Sequence, residues 1–375
     1  MGFQRAAALW PPEASPLNTM RIAVAVSGGS DSLLALGLLR AAGHDVAALH
    51  AHFLPPGDKA LALAEAIDAQ CRALGVPFAA VDLSREFRAR VIDPFAATYA
   101  AGRTPNPCAA CNRDMKFGLL AEAALARGAE AIATGHFARL EPTPAGPALF
   151  RGADDSRDQS YFLSLVPHHA LARAVFPLAG RRKTEHPAAL AALGLTPPLP
   201  SESREICFVP GDDYRAFLVS EGFPLSGPGP IVLADGTRLG THQGLWRHTI
   251  GQRKGLGIAY SEPLYVIDKD PAANALIVGV KTELAATICR TDTANCLVPA
   301  DGWPETVLAQ TCYRMKPRLA TARLTADGGL DIIFADPVAR PTPGQVAVLY
   351  DADGRVLAGG EIIAAPGLVI PENLG

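Results

Sequence analysis

The stretch Ser27-Gly28-Gly29-Ser30-Asp31-Ser32 constrains the fold most, because it separates the apolar run Arg21 to Val26 from a second one, Leu33 to Leu39, that stops before Gly43. A short buried strand, a glycine loop and a helix in that order bring backbone N–H groups and the positive end of a helix dipole to one point, which suits a pyrophosphate. Glycine allows close approach of the phosphates to the backbone. No Gly-Lys-Ser or Gly-Lys-Thr follows, which excludes the Walker loop, and the glycine spacing excludes the dinucleotide fingerprint.

Further apolar runs at Val46 to Ala51, Phe78 to Val81 and Ala131 to Thr134 alternate with the helical stretches Lys59 to Leu74 and Lys116 to Arg127. That alternation predicts an α/β, doubly wound domain over residues 20–211. Proline and glycine thicken between Thr196 and Pro200 and between Phe223 and Pro230, so a boundary is placed near Gly211 and a small connecting domain over 212–275. The strand-sized pieces Leu264 to Ile267, Leu276 to Val278, Leu330 to Phe334 and Val346 to Tyr350 predict a C-terminal β-barrel over 276–375. Residues 1–19, with Trp10, Pro11, Pro12 and Pro16, read as a disordered tail, and Met20 is an alternative start.

At 375 residues the chain exceeds one domain, and 49% hydrophobic against 19% charged residues describes a folded protein, not a disordered one. A net charge of -3 excludes a uniformly basic nucleic-acid coat but leaves room for local basic clusters, such as Arg181-Arg182-Lys183, Arg253-Lys254, and Arg314, Lys316, Arg318 and Arg323. No membrane-length apolar run and no signal peptide are present, so a cytoplasmic place is expected.

Seven cysteines in such a compartment read as chemistry or metal ligation, not as a disulfide framework. Cys108-Ala109-Ala110-Cys111, after Thr104-Pro105-Asn106-Pro107, stands at the start of a helix, whose dipole favours thiolates. With Cys207 in Glu205-Ile206-Cys207-Phe208, the pair is open to disulfide exchange, to a three-thiolate metal site or to a structural zinc half-site. Cys71 falls on the apolar stripe Leu63, Ile67, Cys71, Leu74 and reads as core; Cys289 and Cys296 receive no role, and Cys312 reads as packing. Asp158-Gln159-Ser160-Tyr161 suits a flipped nucleotide or a local turn network, and His136 ends a strand at a ligand-binding sheet edge. His168, His169 and His186 read as surface residues.

The loop resembles that of PP-loop ATPases. From Arg21 to the C-terminus the chain resembles bacterial tRNA-specific 2-thiouridylases, through Ser27 to Ser32, the Pro-Asn-Pro stretch through Asn112, Ala133 to His136, Asp158 to Leu163, Ile206 to Phe208, Gly251-Gln252-Arg253-Lys254-Gly255-Leu256-Gly257 and Thr342-Pro343-Gly344-Gln345. The resemblance implies ATP with Mg2+ held near Ala25, Val26, Ser27, Gly28, Gly29, Ser30, Asp31, Ser32, Ala51 and Gly135. It implies tRNA against Asn106, Pro107, His136, Arg157, Asp158, Gln159, Tyr313, Arg314 and Gln345, with glutamate, glutamine and lysine tRNAs as the usual acceptors. Adenylation of the uracil 2-oxygen would be followed by attack from a persulfide on Cys207, with Cys111 closing a disulfide. The sulfur would come from a cysteine desulfurase or relay protein, and a monomer is expected.

Familiar members of that family carry aspartate where this chain has Cys108. The substitution makes a triad, Cys108, Cys111 and Cys207, like that of relatives thought to hold a [4Fe-4S] cluster. The loop Leu54 to Asp58 is also shorter than is usual there. The rival readings are another PP-loop ligase of tRNA, such as a lysidine synthetase, which needs no essential cysteine, and a non-catalytic, metal-bound tRNA-binding module.

Overall fold

The computed structural model describes residues 19–199 and 206–363, so residues 1–18 of the expected tail, and Glu205, lie outside the described residues. Contacts divide the chain into two units, one of Met1–Val91, Cys108–Phe208 and Gly354–Val356, the other of Ile92–Pro107, Val209–Asp353 and Leu357–Gly375.

The first unit is built on a parallel sheet of β1 (Arg21–Ala25), β2 (Asp45–His52), β3 (Phe78–Asp82), β4 (Ala131–Ala133) and, past a hairpin of β5 (Ala138–Thr143) and β6 (Gly146–Arg151), β7 (Ala174–Val175). The strand order is β3-β2-β1-β4-β7. Strand β1 is central, which is why Ile22, Ala23 and Val24 form an unbroken apolar run with almost no exposed surface. Burying each of the two larger side chains contributes about 1.5–3 kcal/mol. Helix α1 (Ser30–Ala41) covers the sheet with Leu33, Leu34, Leu36 and Leu39, and α2 (Asp58–Ala73) adds Ile67 and Cys71, the core cysteine expected from the stripe.

Because β2 and β3 lie to one side of β1 and β4 and β7 to the other, the chain reverses its winding between β1 and β4. A crevice at the C-terminal ends of those two strands is where sheets of this kind take ligands.

The helix expected from Lys116 instead begins at Pro107. Proline suits a first turn, having no N–H to lose. The helical path then widens over Cys111–Leu120 to i→i+5 bonding and leaves helical geometry at Gly118 (φ −95°, ψ −105°) before resuming over Ala121–Leu125. Wide turns of this kind recur at functional sites.

The second unit holds a four-stranded sheet, ordered β10-β11-β8-β9, of β8 (Gly229–Val232), β9 (Arg238–His242), β10 (Tyr265–Asp270) and β11 (Ala275–Gly279). The break expected between residues 275 and 276 falls inside the β10–β11 hairpin, where Asp270 pairs with Ala275. Helix Asp93–Ala100 belongs here because Tyr99 stacks on Tyr214 at 4.5 Å and Phe95 meets Phe217 at 6.4 Å.

A curled sheet follows, made of β12 (Ala285–Arg290), β13 (Asn295–Cys296), β14 (Val307–Gln310), β15 (Arg318–Leu324), β16 (Leu330–Ala339), β17 (Val346–Tyr350) and β18 (Val356–Glu361), in the order β12-β16-β15-β14-β17-β18-β13. Leu330, Ile332 and Phe334 alternate inward along β16 while Ile333 stays exposed, as period-2 patterning requires. No helix among the described residues is long and apolar enough to cross a membrane.

Candidate active site

The loop after β1 is shaped by Gly28, which adopts φ +85° and is buried. A side chain there would be strained and would meet Leu63 at 2.8 Å. Ser27 N–H donates to the Ser32 hydroxyl at 3.1 Å, and that hydroxyl donates to the Gly29 carbonyl at 3.0 Å, so the two serines close the loop on itself. Upstream, His50 Nδ1 lies 2.7 Å from the Val26 carbonyl, fixing the backbone that enters the loop. No side chain caps the N-terminus of α1 at Gly29, which leaves the positive end of the helix to an anion.

Two residues from far along the chain complete this corner. Lys183 Nζ donates to the Asp31 carboxylate at 2.6 Å and to the Ser30 hydroxyl at 3.1 Å. His186 Nδ1 lies 2.8 Å from the same carboxylate oxygen, and its ring stacks on Phe137 with centroids 5.2 Å apart. His186 is 1% exposed, so its assignment to the surface is corrected: the Phe137 face and the Asp31 carboxylate together draw it in. Burial lowers its pKa despite Asp31, so near neutral pH the ring is uncharged and Nδ1–H is the donor to Asp31. Its Nε2 is buried with no partner among the described residues. Lys183, read from the sequence only as part of a basic cluster, is half-buried here.

Gly135, just past β4, lies so near the start of α1 that a Cβ there would sit 2.7 Å from the Asp31 backbone carbon and 2.8 Å from Ser32 N. Ala25 and Val26 lead into the loop from β1, while Ala51, half-buried, pairs with Val81 at the far end of β2. The uncapped helix, the Lys183 ammonium and the Asp31 carboxylate fit a nucleotide triphosphate with its magnesium: the first two would hold phosphate oxygens and the carboxylate would face the metal.

The cysteines occupy the same unit. Cys111 is buried on the wide helical turn, while Cys108 and Cys207 reach the surface. Phe208 anchors the Cys207 turn by meeting Phe87 edge-on at 5.6 Å. Desolvation raises the pKa of all three thiols, that of Cys111 to about 12, and Lys116 opposes the rise at each one. A thiolate at Cys207 would be felt at both Cys108 and Cys111, so the three lie in one electrostatic neighbourhood.

At Cys111, desolvation outweighs the Lys116 charge and favours the protonated thiol, against the thiolate expected from the helix start. Among the described residues no three Cys, His, Asp or Glu side chains converge as metal ligands.

His136 also feels Lys116; it is buried, bonded through Nδ1 to the Thr134 hydroxyl at 2.7 Å, and held neutral by burial. Asp158 accepts bonds from Arg151, Gly152 N–H, and both the N–H and hydroxyl of Ser160, so its carboxylate is saturated within its own turn. Gln159 accepts the Phe137 N–H at 3.0 Å, while Arg157 is exposed. In the second unit, Asn106 is half-buried and Pro107 buried. Tyr313 and Arg314 are exposed on a turn whose backbone carbonyls Gln310 holds at 2.9–3.1 Å. Arg323 and Arg290 share Asp331, which takes Arg323 out of the expected basic stretch.

Sequence reasoning missed Lys183, His186 and His50 at the loop, and Lys116 as the common cation of the cysteines. Lys183 stands 152 positions from Asp31, beyond the reach of any local pattern.

Models of three domains match the chain: the tRNA methyl transferase HUP domain over 20–211, the tRNA methyl transferase PRC-barrel domain over 217–280 and the aminomethyltransferase beta-barrel domain over 287–363. A tRNA-specific 2-thiouridylase MnmA of Oleidesulfovibrio alaskensis is 56% identical over 92% of this chain and 99% of its own length. The protein of that name from Nitratidesulfovibrio vulgaris is 53% identical over the same shares, and that of Roseiflexus castenholzii 40%.

Proposed function

Because the chain belongs to the family of tRNA-specific 2-thiouridylases, we propose that it replaces the 2-oxygen of the wobble uridine of tRNA with sulfur, at the expense of ATP. The observation that carries this reading is a single unit holding both an anion-ready loop with Lys183 at its mouth and three cysteines grouped about Lys116. An amide-like oxygen leaves poorly until it is activated. Transfer of AMP to that oxygen, with release of pyrophosphate, makes it a leaving group; magnesium when bound neutralises phosphate charge.

Cys207 receives the transferable sulfur as a persulfide, whose terminal sulfur attacks C2 as AMP departs. Cys111 gives up its proton, in balance with reprotonation of the base, as its sulfur attacks the Cys207 sulfur, forming the Cys111–Cys207 disulfide and leaving the transferred sulfur on the base, and a thiol reductant of the cell restores both thiols. Cys207 suits the donor end because it is exposed, and Cys111 the resolving end because it is buried within the electrostatic reach of Cys207. Asn106, Pro107, His136, Arg157, Asp158, Gln159, Tyr313 and Arg314 are proposed to lie along the tRNA, and Ala25 to Ser32, Ala51 and Gly135 along the nucleotide. Glutamate, glutamine and lysine tRNAs are the proposed acceptors, and a cysteine desulfurase or its relay protein the donor.

The decisive variant is Cys207→Ser. It should fold, release pyrophosphate with ATP and tRNA, and leave no 2-thiouridine detectable by mass spectrometry. Full thiolation by this variant would sink the sulfur-transfer reading and favour a PP-loop ligase without an essential cysteine. Pyrophosphate release from ATP and cognate tRNA in the wild type excludes a non-catalytic binding module. Iron and labile sulfide on anaerobic protein, lost in Cys108→Ala, would replace the persulfide route with a cluster on Cys108, Cys111 and Cys207.

A further inference from the structure

The segment Thr104-Pro105-Asn106-Pro107 runs directly into Cys108 and has backbone N–H groups only at Thr104 and Asn106. A strap with two prolines has to be held largely through its carbonyls, which calls for a neighbour rich in donors. Within the second unit that neighbour is the turn Thr342-Pro343-Gly344-Gln345. Gln345 N–H bonds to the Thr342 carbonyl at 3.1 Å, and Gly344 takes φ +90°, the arrangement of a type II turn with proline and glycine in their favoured places.

The turn's Pro343 carbonyl accepts the Thr104 N–H at 2.9 Å. The Gln345 carboxamide donates to the Thr104 carbonyl at 3.1 Å and to that of Pro105 at 2.9 Å. Gly344 permits the approach, since a Cβ there would lie 2.7 Å from the Thr104 oxygen. The turn is itself fixed by paired bonds to Ile362, at 2.8 and 2.7 Å. Two further bonds hold the preceding residues: Lys269 Nζ to the Gly102 carbonyl at 2.8 Å, and Arg103 to Glu361 at 3.0 Å.

The geometry points to Gln345 as a positioning residue for the Cys108–Cys111 segment, acting through the Thr104–Pro105 backbone instead of through the tRNA against which the resemblance places it. Both Nε2 hydrogens are already spent on backbone carbonyls. The inference rests on the thiolation reading for its consequence, although its structural part can be read without any tRNA.

Gln345→Met keeps the length of the side chain and removes both donors; Gly344→Ala disturbs the same strap while leaving the carboxamide in place. In the whole protein without tRNA, both variants should raise deuterium exchange across residues 103–107 by about tenfold or more, as expected for two lost hydrogen bonds. Alkylation of Cys108 should quicken relative to Cys312, which serves as the internal control. With tRNA, the Kd should stay within about twofold while the single-turnover thiolation rate at saturating tRNA falls about tenfold or more.

Weakened tRNA affinity with unchanged exchange and alkylation would overturn the inference and make Gln345 an RNA contact; unchanged behaviour in every readout would overturn it as well. If wild type fails to thiolate tRNA, the thiolation reading fails, yet exchange and alkylation still decide whether the strap is held as described.

Discussion

The ammonium of Lys183 and the imidazole of His186 converge on one oxygen of Asp31, and the lysine is the nearer at 2.6 Å. Charge-assisted hydrogen bonds to phosphate contribute about 1.5–3 kcal/mol. Lys183→Met should therefore weaken binding of a non-hydrolysable ATP analogue, read by calorimetry without tRNA, by about 10- to 100-fold. Unaltered affinity at an unaltered melting temperature would show that the lysine serves Asp31 alone. Lys116 yields a second prediction, with its sign set by burial: the Cys111 and Cys207 thiols lie above their ordinary pKa, Cys111 at about 12, and the lysine is what restrains the rise. In the free wild type, alkylation of Cys207 should keep increasing with pH above about 10, where an ordinary thiol of pKa about 8.5 is already almost fully ionised. Lys116→Met, lacking the cation that favours thiolate, should shift the profile further to high pH and slow alkylation at pH 8 by about three- to tenfold. Faster alkylation in that variant would contradict the assigned electrostatics.

Among elements, the contact that matters most is between the end of β4 and the first turn of α1, where Gly135 leaves no room for a methyl group against the backbone of Asp31 and Ser32. Neither neighbour is a flexible side chain, so Gly135→Ala has to displace the loop or the strand end. A cost of about 1–3 kcal/mol follows from overpacking, measurable as a shift of the urea midpoint. Nucleotide affinity should fall with it, whereas an unchanged midpoint and affinity would mean that the loop is more pliant than its serine bonds imply. This pairing was half legible in the sequence. The strands were readable because Ile22 to Val24 and Ala131 to Ala133 are continuous apolar runs, and the loop because its glycines fall between a strand and a helix. The order β3-β2-β1-β4-β7, which brings Gly135 beside Asp31, is a property of the assembled sheet. The widened turn at Cys111 was equally hidden, since an i→i+5 path leaves no mark on a periodicity that reads as helix. The burial of Cys111, which favours its protonated form, is a property of the folded unit, and the grouping of Ile92–Pro107 with the second unit goes with aromatic contacts to Tyr214 and Phe217.

At the scale of the whole molecule, a chain of net charge -3 is proposed to grip a polyanion, so the attraction has to be local and not a property of the total charge. Exposed cations stand at Arg157, at Arg253 and Lys254, and along the run Arg314, Lys316 and Arg318. Gly251, Gly255 and Gly257 all have positive φ, so the segment carrying Arg253 and Lys254 follows a path that side chains would strain, close to open solvent. If four to six of these cations meet phosphates, log Kd for tRNA should change with log salt with a slope of about 3 to 5, since each neutralised phosphate contributes about 0.7–0.9. The double variant Arg253→Ala, Lys254→Ala should lower that slope by up to about 2, and Arg323→Ala, whose guanidinium is occupied by Asp331 at 2.7 Å, should leave it nearly unchanged. The comparison separates phosphate contacts from surface cations that merely happen to be near, because both variants remove positive charge but only the first removes counterion release. A wild-type slope below about 1 would be incompatible with this grip and would leave base and ribose contacts to account for tRNA affinity.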